Sequence, residues 1–330
     1  MIEREAGSLG EGRLARLIAV LDRNAPIILQ THDYPDIDAV ASAWALSELL
    51  ARRGLSALPA YRGEIRSRSL LRMIAELRIE LVATPVSDAS AQIVVVDGSP
   101  LNGNVELYEG SLVGIIDHHR MVREPTAPFL DIRPDCAACA TIVHSYWLEA
   151  GEPLPRHLAT ALLAGIQSDT DFLSRRASPA DFDAYTALFR QGDWDTASMV
   201  VRSVLSVGEL ELVQRALRDS EIRGELFYAK IPGPCAQELL AVLAEFVLRA
   251  EELSAAVVVE SGDAGVHLSA RSKDCRLSAF ELVRAALSGI GTGGGHSHSA
   301  GGFVPAATFP GDRALKERFF SAAQWAAQHT

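Results

Sequence analysis

Four separated stretches of this sequence gather carboxylates and imidazoles: His32-Asp33-Tyr34-Pro35-Asp36-Ile37-Asp38, Asp97 in VVVDGS, Asp117-His118-His119, and Asp169 in GIQSDTDF. Each follows an apolar run, so each falls where an element ends and its side chains emerge. If the four ends converge, three or four carboxylates meet two or three imidazoles in one place. Mutual repulsion would then be severe unless cations occupied it. Mixed oxygen and imidazole ligands suit a borderline ion such as Mn²⁺. His32, Asp36, Asp38, Asp97, His118, His119 and Asp169 are too many ligands for one ion but suitable for two. A carboxylate shared by two ions would hold them roughly 3.5 to 4 Å apart, the arrangement that activates water and stabilises in-line displacement at phosphorus. Taken singly the stretches have plainer readings. DHH is commonly an exposed turn, and Asp38, just before ASAWALSELL, could cap a helix. Their order and shared position at element ends favour the chemical reading.

The elements that must position them follow from the hydrophobic pattern. IILQT at 27–31, QIVVVD at 92–97 and LVGIID at 112–117 are strand-like, and a helical pattern runs from about 38 to 53. Alternation of such runs with helices predicts a parallel α/β sheet. The two later runs are almost continuously apolar, as strands buried on both faces are, and each ends in a carboxylate. From about 138 to 220 the sequence reads as mostly helical, with ATIVHSYWLEAG and PRHLATALLAGIQSD the clearest stretches. The charged segment at 201–223 is read as a helical linker between a domain at 1–200 and a smaller α/β domain at 224–330. The second domain is expected to hold GELFYAKI, AAVVVES and GVHLSARS as strands, two helices, and then the low-complexity, glycine-rich GIGTGGGHSHSAGG, for which a flexible linker is the alternative reading.

The order HxxPDxDAxxS at 32–42, VVVD at 94–97, DHH at 117–119, GIxxDTxxL at 165–173, SxRS at 269–272 and GGGH at 293–296 resembles the DHH phosphoesterases that carry a DHHA1 domain. The resemblance spans nearly the whole chain. The length fits the stand-alone branch of oligoribonucleases, 3′-phosphoadenosine 5′-phosphate phosphatases and dinucleotide phosphodiesterases better than the longer RecJ-type exonucleases. It implies one Mn²⁺ on His32, Asp36 and Asp97 and a second on Asp38, Asp97, His118 and Asp169, with Asp97 as the bridge and Mg²⁺ or Co²⁺ as possible substitutes. It puts His119 against the scissile phosphate, leaves Asp117 to orient the neighbouring imidazoles, and locates the active site in the cleft between the domains. Arg271, with Ser272 beside it, is the candidate for holding a substrate phosphate, since a guanidinium binds phosphate oxygens bidentately. Gly293, Gly294 and Gly295 before His296 would let backbone amides approach a phosphate or base. The chain departs from the family pattern at Tyr34 and Ile37, where a small polar residue and glycine are usual, and at Asp171, an additional carboxylate that either tunes the site or caps a turn.

Lys and Arg total 31 against 42 Asp and Glu, a net charge of 31 − 42 = −11, in a composition that is 48% hydrophobic and 22% charged. That balance predicts a globular protein without the broad basic track that long duplex nucleic acid requires. No apolar run approaches a membrane span and MIEREAGSLGEGR does not read as a signal peptide, so a cytoplasmic location is expected. The lone Cys136-x-x-Cys139 reads as small buried helix residues rather than a zinc site. Expected substrates are short oligoribonucleotides (nanoRNA), pApA or 3′-phosphoadenosine 5′-phosphate. A cyclic-dinucleotide phosphodiesterase is the alternative within the same chemistry, and an inactive nucleotide-binding regulator the alternative outside it. The family resemblance also suggests a homodimer.

Overall fold

The computed structural model describes residues 12–65, 67–83, 88–121, 123, 125–202, 205–295 and 297–329. Two compact units divide it, residues 1–203 without 66–68, and residues 204–330 with 66–68.

In the first unit the order is α1 (Arg13–Val20), β1 (Ile27–Thr31), α2 (Ile37–Arg52), β2 (Ala57–Ala60), α3 (Arg68–Leu77), β3 (Gln92–Val96), β4 (Ser111–Asp117), β5 (Phe129–Ile132), α4 (Cys139–Ala150), α5 (Arg156–Thr170), α6 (Pro179–Gln191) and α7 (Trp194–Arg202). The strands form one sheet in the order β2-β1-β3-β4-β5, every pair parallel. β1 and β3 are buried along their whole length. The two-residue period sorts their side chains between two cores. Leu29, Val94, Val96 and Ile116 join the main core with α2, α4 and α5, while Ile93, Val95 and Ile115 pack with Val105, Leu107 and Tyr108 on the other face. α2 and α5 are buried on nearly every side, as helices apolar all round must be. The ends of these buried elements carry all four chemical stretches.

The second unit runs α8 (Val207–Arg218), β6 (Glu221–Arg223), β7 (Leu226–Ile231), α9 (Gln237–Val247), β8 (Ala255–Gly262), β9 (Gly265–Ser272), α10 (Ala279–Leu287), β10 (Thr292–Gly295), β11 (Ser299–Pro305) and α11 (Asp312–His329). Its mixed sheet has the order β10-β11-β9-β8-β7-β6, with β7 and β8 parallel. The segment expected as a linker divides between α7, α8 and β6, and α8 joins the second unit's core through Leu212, Val213 and Ala216.

Within the glycine-rich stretch the chain forms strand rather than a flexible linker at two places. Thr292–Gly295 form β10, paired antiparallel with β11. The glycines answer to packing, because a Cβ at Gly293 would collide with Val283 of α10 and one at Gly295 (φ 138°) with Ser299 and Ala300. Among the described residues no helix is long and apolar enough to cross a membrane.

Candidate metal centre

The carboxyl ends of β1, β3 and β4 meet the start of α2 and the end of α5. His32 follows β1, and its Nδ1 lies 3.0 Å from the Asp33 carbonyl. With Nδ1–H donating there, Nε2 turns toward Asp36 Oδ2 at 3.7 Å and Asp97 Oδ2 at 3.9 Å. Asp36 is the N-cap of α2 and accepts from the Ala39 amide. Asp97 follows β3 in a left-handed turn (φ 62°) that Asp tolerates. Gly98 lies so close that a Cβ would fall 3.0 Å from that of His32. His118 is buried behind β4, with Nε2 at 3.3 Å from Asp97 Oδ1 and 3.4 Å from Asp169 Oδ2.

Asp38 has two duties. It sits in the first turn of α2, yet its carboxylate accepts from the amides of Cys139 (2.6 Å) and Ala140 (2.9 Å) at the start of α4. The helix cap weighed for this residue exists, but on another helix about a hundred positions away. Ligand atoms of Asp97, Asp117, His118 and His119 lie within 4.8 Å of one another, as do those of His32, Asp36 and Asp97, and those of Asp38, His118 and Asp169. Asp97 and His118 each belong to two of these groups.

Asp117 Oδ1 accepts from both the His119 amide (3.1 Å) and ring Nδ1 (2.8 Å). That bond fixes the ring orientation. Burial alone would raise the Asp117 carboxyl, but the His119 hydrogen bond holds it below its usual range, so it accepts and His119 Nδ1 donates.

The residues fit divalent cations. Asp97 Oδ1, Asp117 Oδ2 and both His118 ring nitrogens are buried without a hydrogen bond, and such groups are costly to leave unmatched. Neighbouring ligands of a small six-coordinate ion with bonds of about 2.1 Å lie about 3 Å apart, close to the 3.3 and 3.4 Å found around His118. Electrostatics agree. Burial, then the charges of Asp97 and Asp169, push Asp38 well above the carboxylate range. Burial and Asp36 push Asp169 up to about 7. Burial would lower both imidazoles, but Asp36 and Asp97 raise His32, and Asp97 and Asp169 raise His118, each to about 10. Without cations, protons balance the charge.

Cation binding must displace those protons, which sets the sign of a pH effect. Apparent Mn²⁺ affinity is expected to rise as pH rises from about 6 to about 9, with net proton release at neutral pH. Calorimetric titration in buffers of different ionisation enthalpy checks it, and a pH-independent affinity without proton release would contradict it.

The other sequence-predicted residues are distributed as follows. Arg271 on β9 is half-buried, donating to Glu245 (2.9 Å), Ser269 Oγ and the Ala270 carbonyl. Ser272 is buried, its hydroxyl donating to backbone carbonyls of Ser254 and Asp274. Gly293, Gly294 and Gly295 line an exposed sheet edge. His296 lies outside the described residues. Asp171 closes α5 in a left-handed conformation and accepts from Ser174 Oγ, so turn capping accounts for it. Cys136 and Cys139 are buried thiols, which burial pushes up to about 12 for Cys136.

Sequence reasoning missed the residues that fasten the loops. Asp33 accepts from the Glu106 amide and donates its own amide to the Asn104 carbonyl, tying the first motif to the turn after β3. Gly165 passes Asp38 so closely that a Cβ would stand 2.7 Å from Oδ1. Asp33 and Gly165 both stand inside the sequence motifs, but their partners do not follow from those motifs.

Residues 26–166 match the family model described as DHH family, N-terminal domain. An uncharacterized protein of Methanocaldococcus jannaschii, MJ1633, is 33% identical over 291 residues, 87% of this chain and 60% of that protein. A probable manganese-dependent inorganic pyrophosphatase of Bacillus licheniformis is 28% identical over 149 residues, covering 44% of this chain and 48% of the relative. The chain thus spans between about half and three-fifths of the length of these curated relatives. The crystal structure of an exopolyphosphatase-related protein from Bacteroides fragilis superposes with a TM-score of 0.78 at 15% identity, covering 98% of both chains. At that identity the likeness concerns the fold.

Proposed function

This chain carries a DHH-family domain over residues 26–166, and we propose that it is a cytoplasmic, Mn²⁺-dependent phosphoesterase acting on short nucleotide substrates such as nanoRNA, pApA or 3′-phosphoadenosine 5′-phosphate. One observation carries the reading: the three groups of ligand atoms interlock through Asp97 and His118, as a centre for two ions requires. His32, Asp36 and Asp97 would hold one ion, and Asp38, Asp97, His118 and Asp169 the other. When bound, such ions lower the pKa of water and offset charge on phosphate oxygens. His119, held by Asp117 at 2.8 Å, presents its far ring edge to a phosphate. Its pKa, which burial alone would lower, is raised by Asp117 and Asp97, so it can donate a hydrogen bond to an anionic oxygen. Arg271 is the candidate contact for a terminal phosphate, and would exchange Glu245 for it. The net charge of −11 supports short substrates over long polyanions.

A second reading is favoured by a specific similarity. The Bacillus licheniformis relative is named for inorganic pyrophosphate, which the same ligand set could accommodate.

One panel separates them: pApA, cyclic di-AMP, 3′-phosphoadenosine 5′-phosphate, RNA from dinucleotides to about 24 residues, pyrophosphate and polyphosphate, each with Mn²⁺ and then with chelator. Chelator-sensitive turnover concentrated on di- to pentanucleotides is expected. Turnover of pyrophosphate alone would establish the second reading, and turnover that survives chelation would refute the metal centre.

A further inference from the structure

Tyr34 lies two residues from His32 and two from Asp36, and neither packing nor backbone preference accounts for it. Its φ is 57°, a left-handed conformation that a bulky aromatic residue adopts only at a cost. Burial does not offset that cost, because the residue is 68% exposed. The ring is nonetheless seated. The Tyr34 amide donates to the Arg62 carbonyl at 2.9 Å, and the next residue, Gly63, lies against the ring. A Cβ at 63 would stand 2.6 Å from Tyr34 Cδ1 and 2.8 Å from Cε1. Gly63 is itself left-handed, at φ 83°. One costly backbone conformation, at Tyr34, and one that glycine adopts freely, at Gly63, therefore hold an aromatic ring at the surface two residues from His32 and from Asp36. The loop is also tied to its neighbour, through Asp33 and the backbone of Asn104 and Glu106.

A fixed, exposed aromatic surface is what a planar π system stacks on. We propose that Tyr34 is a base-stacking subsite, which receives the nucleobase next to the scissile phosphate. Pyrophosphate and polyphosphate have no group to place there, so the ring selects nucleotides over inorganic substrates. This inference rests on the phosphoesterase reading above, and names what that site recognises.

The test compares wild type, Tyr34→Ala, Tyr34→Asn and Tyr34→Trp on pApA and on a 5′-phosphorylated abasic dinucleotide of the same backbone, by steady-state kinetics with Mn²⁺ and by equilibrium binding. Alanine and asparagine are expected to lower the pApA-to-abasic ratio of kcat/KM by roughly 5- to 150-fold, the factor that stacking one base provides. Tryptophan should restore the ratio. Asparagine tolerates the left-handed backbone, so its Tm should equal or exceed that of wild type and separates lost stacking from lost folding. If alanine weakens both ligands equally, or neither, or if tryptophan fails to rescue, the stacking proposal is wrong while the phosphoesterase reading stands. Wild type that neither binds nor hydrolyses pApA overturns both.

Discussion

Replacing Asp97 with Asn is expected to lower hydrolysis by on the order of 10³-fold or more, as the loss of a directly acting electrostatic group does, while the chain still folds. The substitution keeps the shape, and Asn tolerates the left-handed backbone that Asp97 adopts at φ 62°. What it removes is charge at the shared position, where Oδ1 lies 3.3 Å from His118 Nε2 and Oδ2 lies 3.9 Å from His32 Nε2. Without ions two effects oppose each other. The imidazoles lose a partner, but Asp38 and Asp169 lose a repelling neighbour, so the ion-free Tm should move little. With Mn²⁺ the difference becomes large. Ion at 100 times Kd stabilises a native protein by about 2.7 kcal/mol, and the variant should lose most of that gain. Thermal melts with and without Mn²⁺, beside activity, check both halves. Activity within about tenfold of wild type, with an unchanged Mn²⁺-induced shift, would remove Asp97 from the bridging position.

Gly165→Ala should weaken the protein's metal binding or activity about 10- to 100-fold with a single methyl group. In an ordinary helix interior alanine stabilises relative to glycine by roughly 0.5–1 kcal/mol. Here the new Cβ would stand 2.7 Å from Asp38 Oδ1, 3.1 Å from Ala140 Cβ and 3.3 Å from Asp38 Cα. The carboxylate cannot retreat without giving up the amides of Cys139 and Ala140. Overpacking costs roughly 1–3 kcal/mol, so the net sign reverses and Tm should fall. Displacing Asp38 should also cost about 10- to 100-fold in metal affinity or activity, the range found when the supports of a metal site are altered. Titration of activity with Mn²⁺, paired with a melt, measures this. A higher Tm with normal activity would mean that the helices part freely there.

The centre of the first sheet is legible in the sequence because its strands are buried on both faces. IILQT, QIVVV and SLVGIID have the apolar continuity that identifies β1, β3 and β4. β2 and β5 are not legible. They are short edge strands, ALPA and FLDI, one interrupted by Pro59 and the other by Asp131. β10 escapes for another reason, since a run of glycines has no side chains to alternate. For the candidate centre, the ligand types and their order stand in the sequence, because element ends bring them together. The double engagement of Asp38 does not, for it depends on α4 arriving from a hundred residues away. Nor does the clearance at Gly165 or the exposed ring of Tyr34, which are properties of helix contact and loop conformation rather than of any periodic pattern.

The amides that hold Asp38 also bear on ionic size. A carboxylate fixed by two backbone N–H groups, beside a glycine with no room to spare, is a ligand that resists moving outward around its guest. Mg²⁺ takes oxygen ligands at about 2.0–2.1 Å, whereas Ca²⁺ needs about 2.3–2.6 Å and a larger shell. Under the proposed ligand assignment the start of α4 therefore acts as a calliper that favours small divalent cations over calcium.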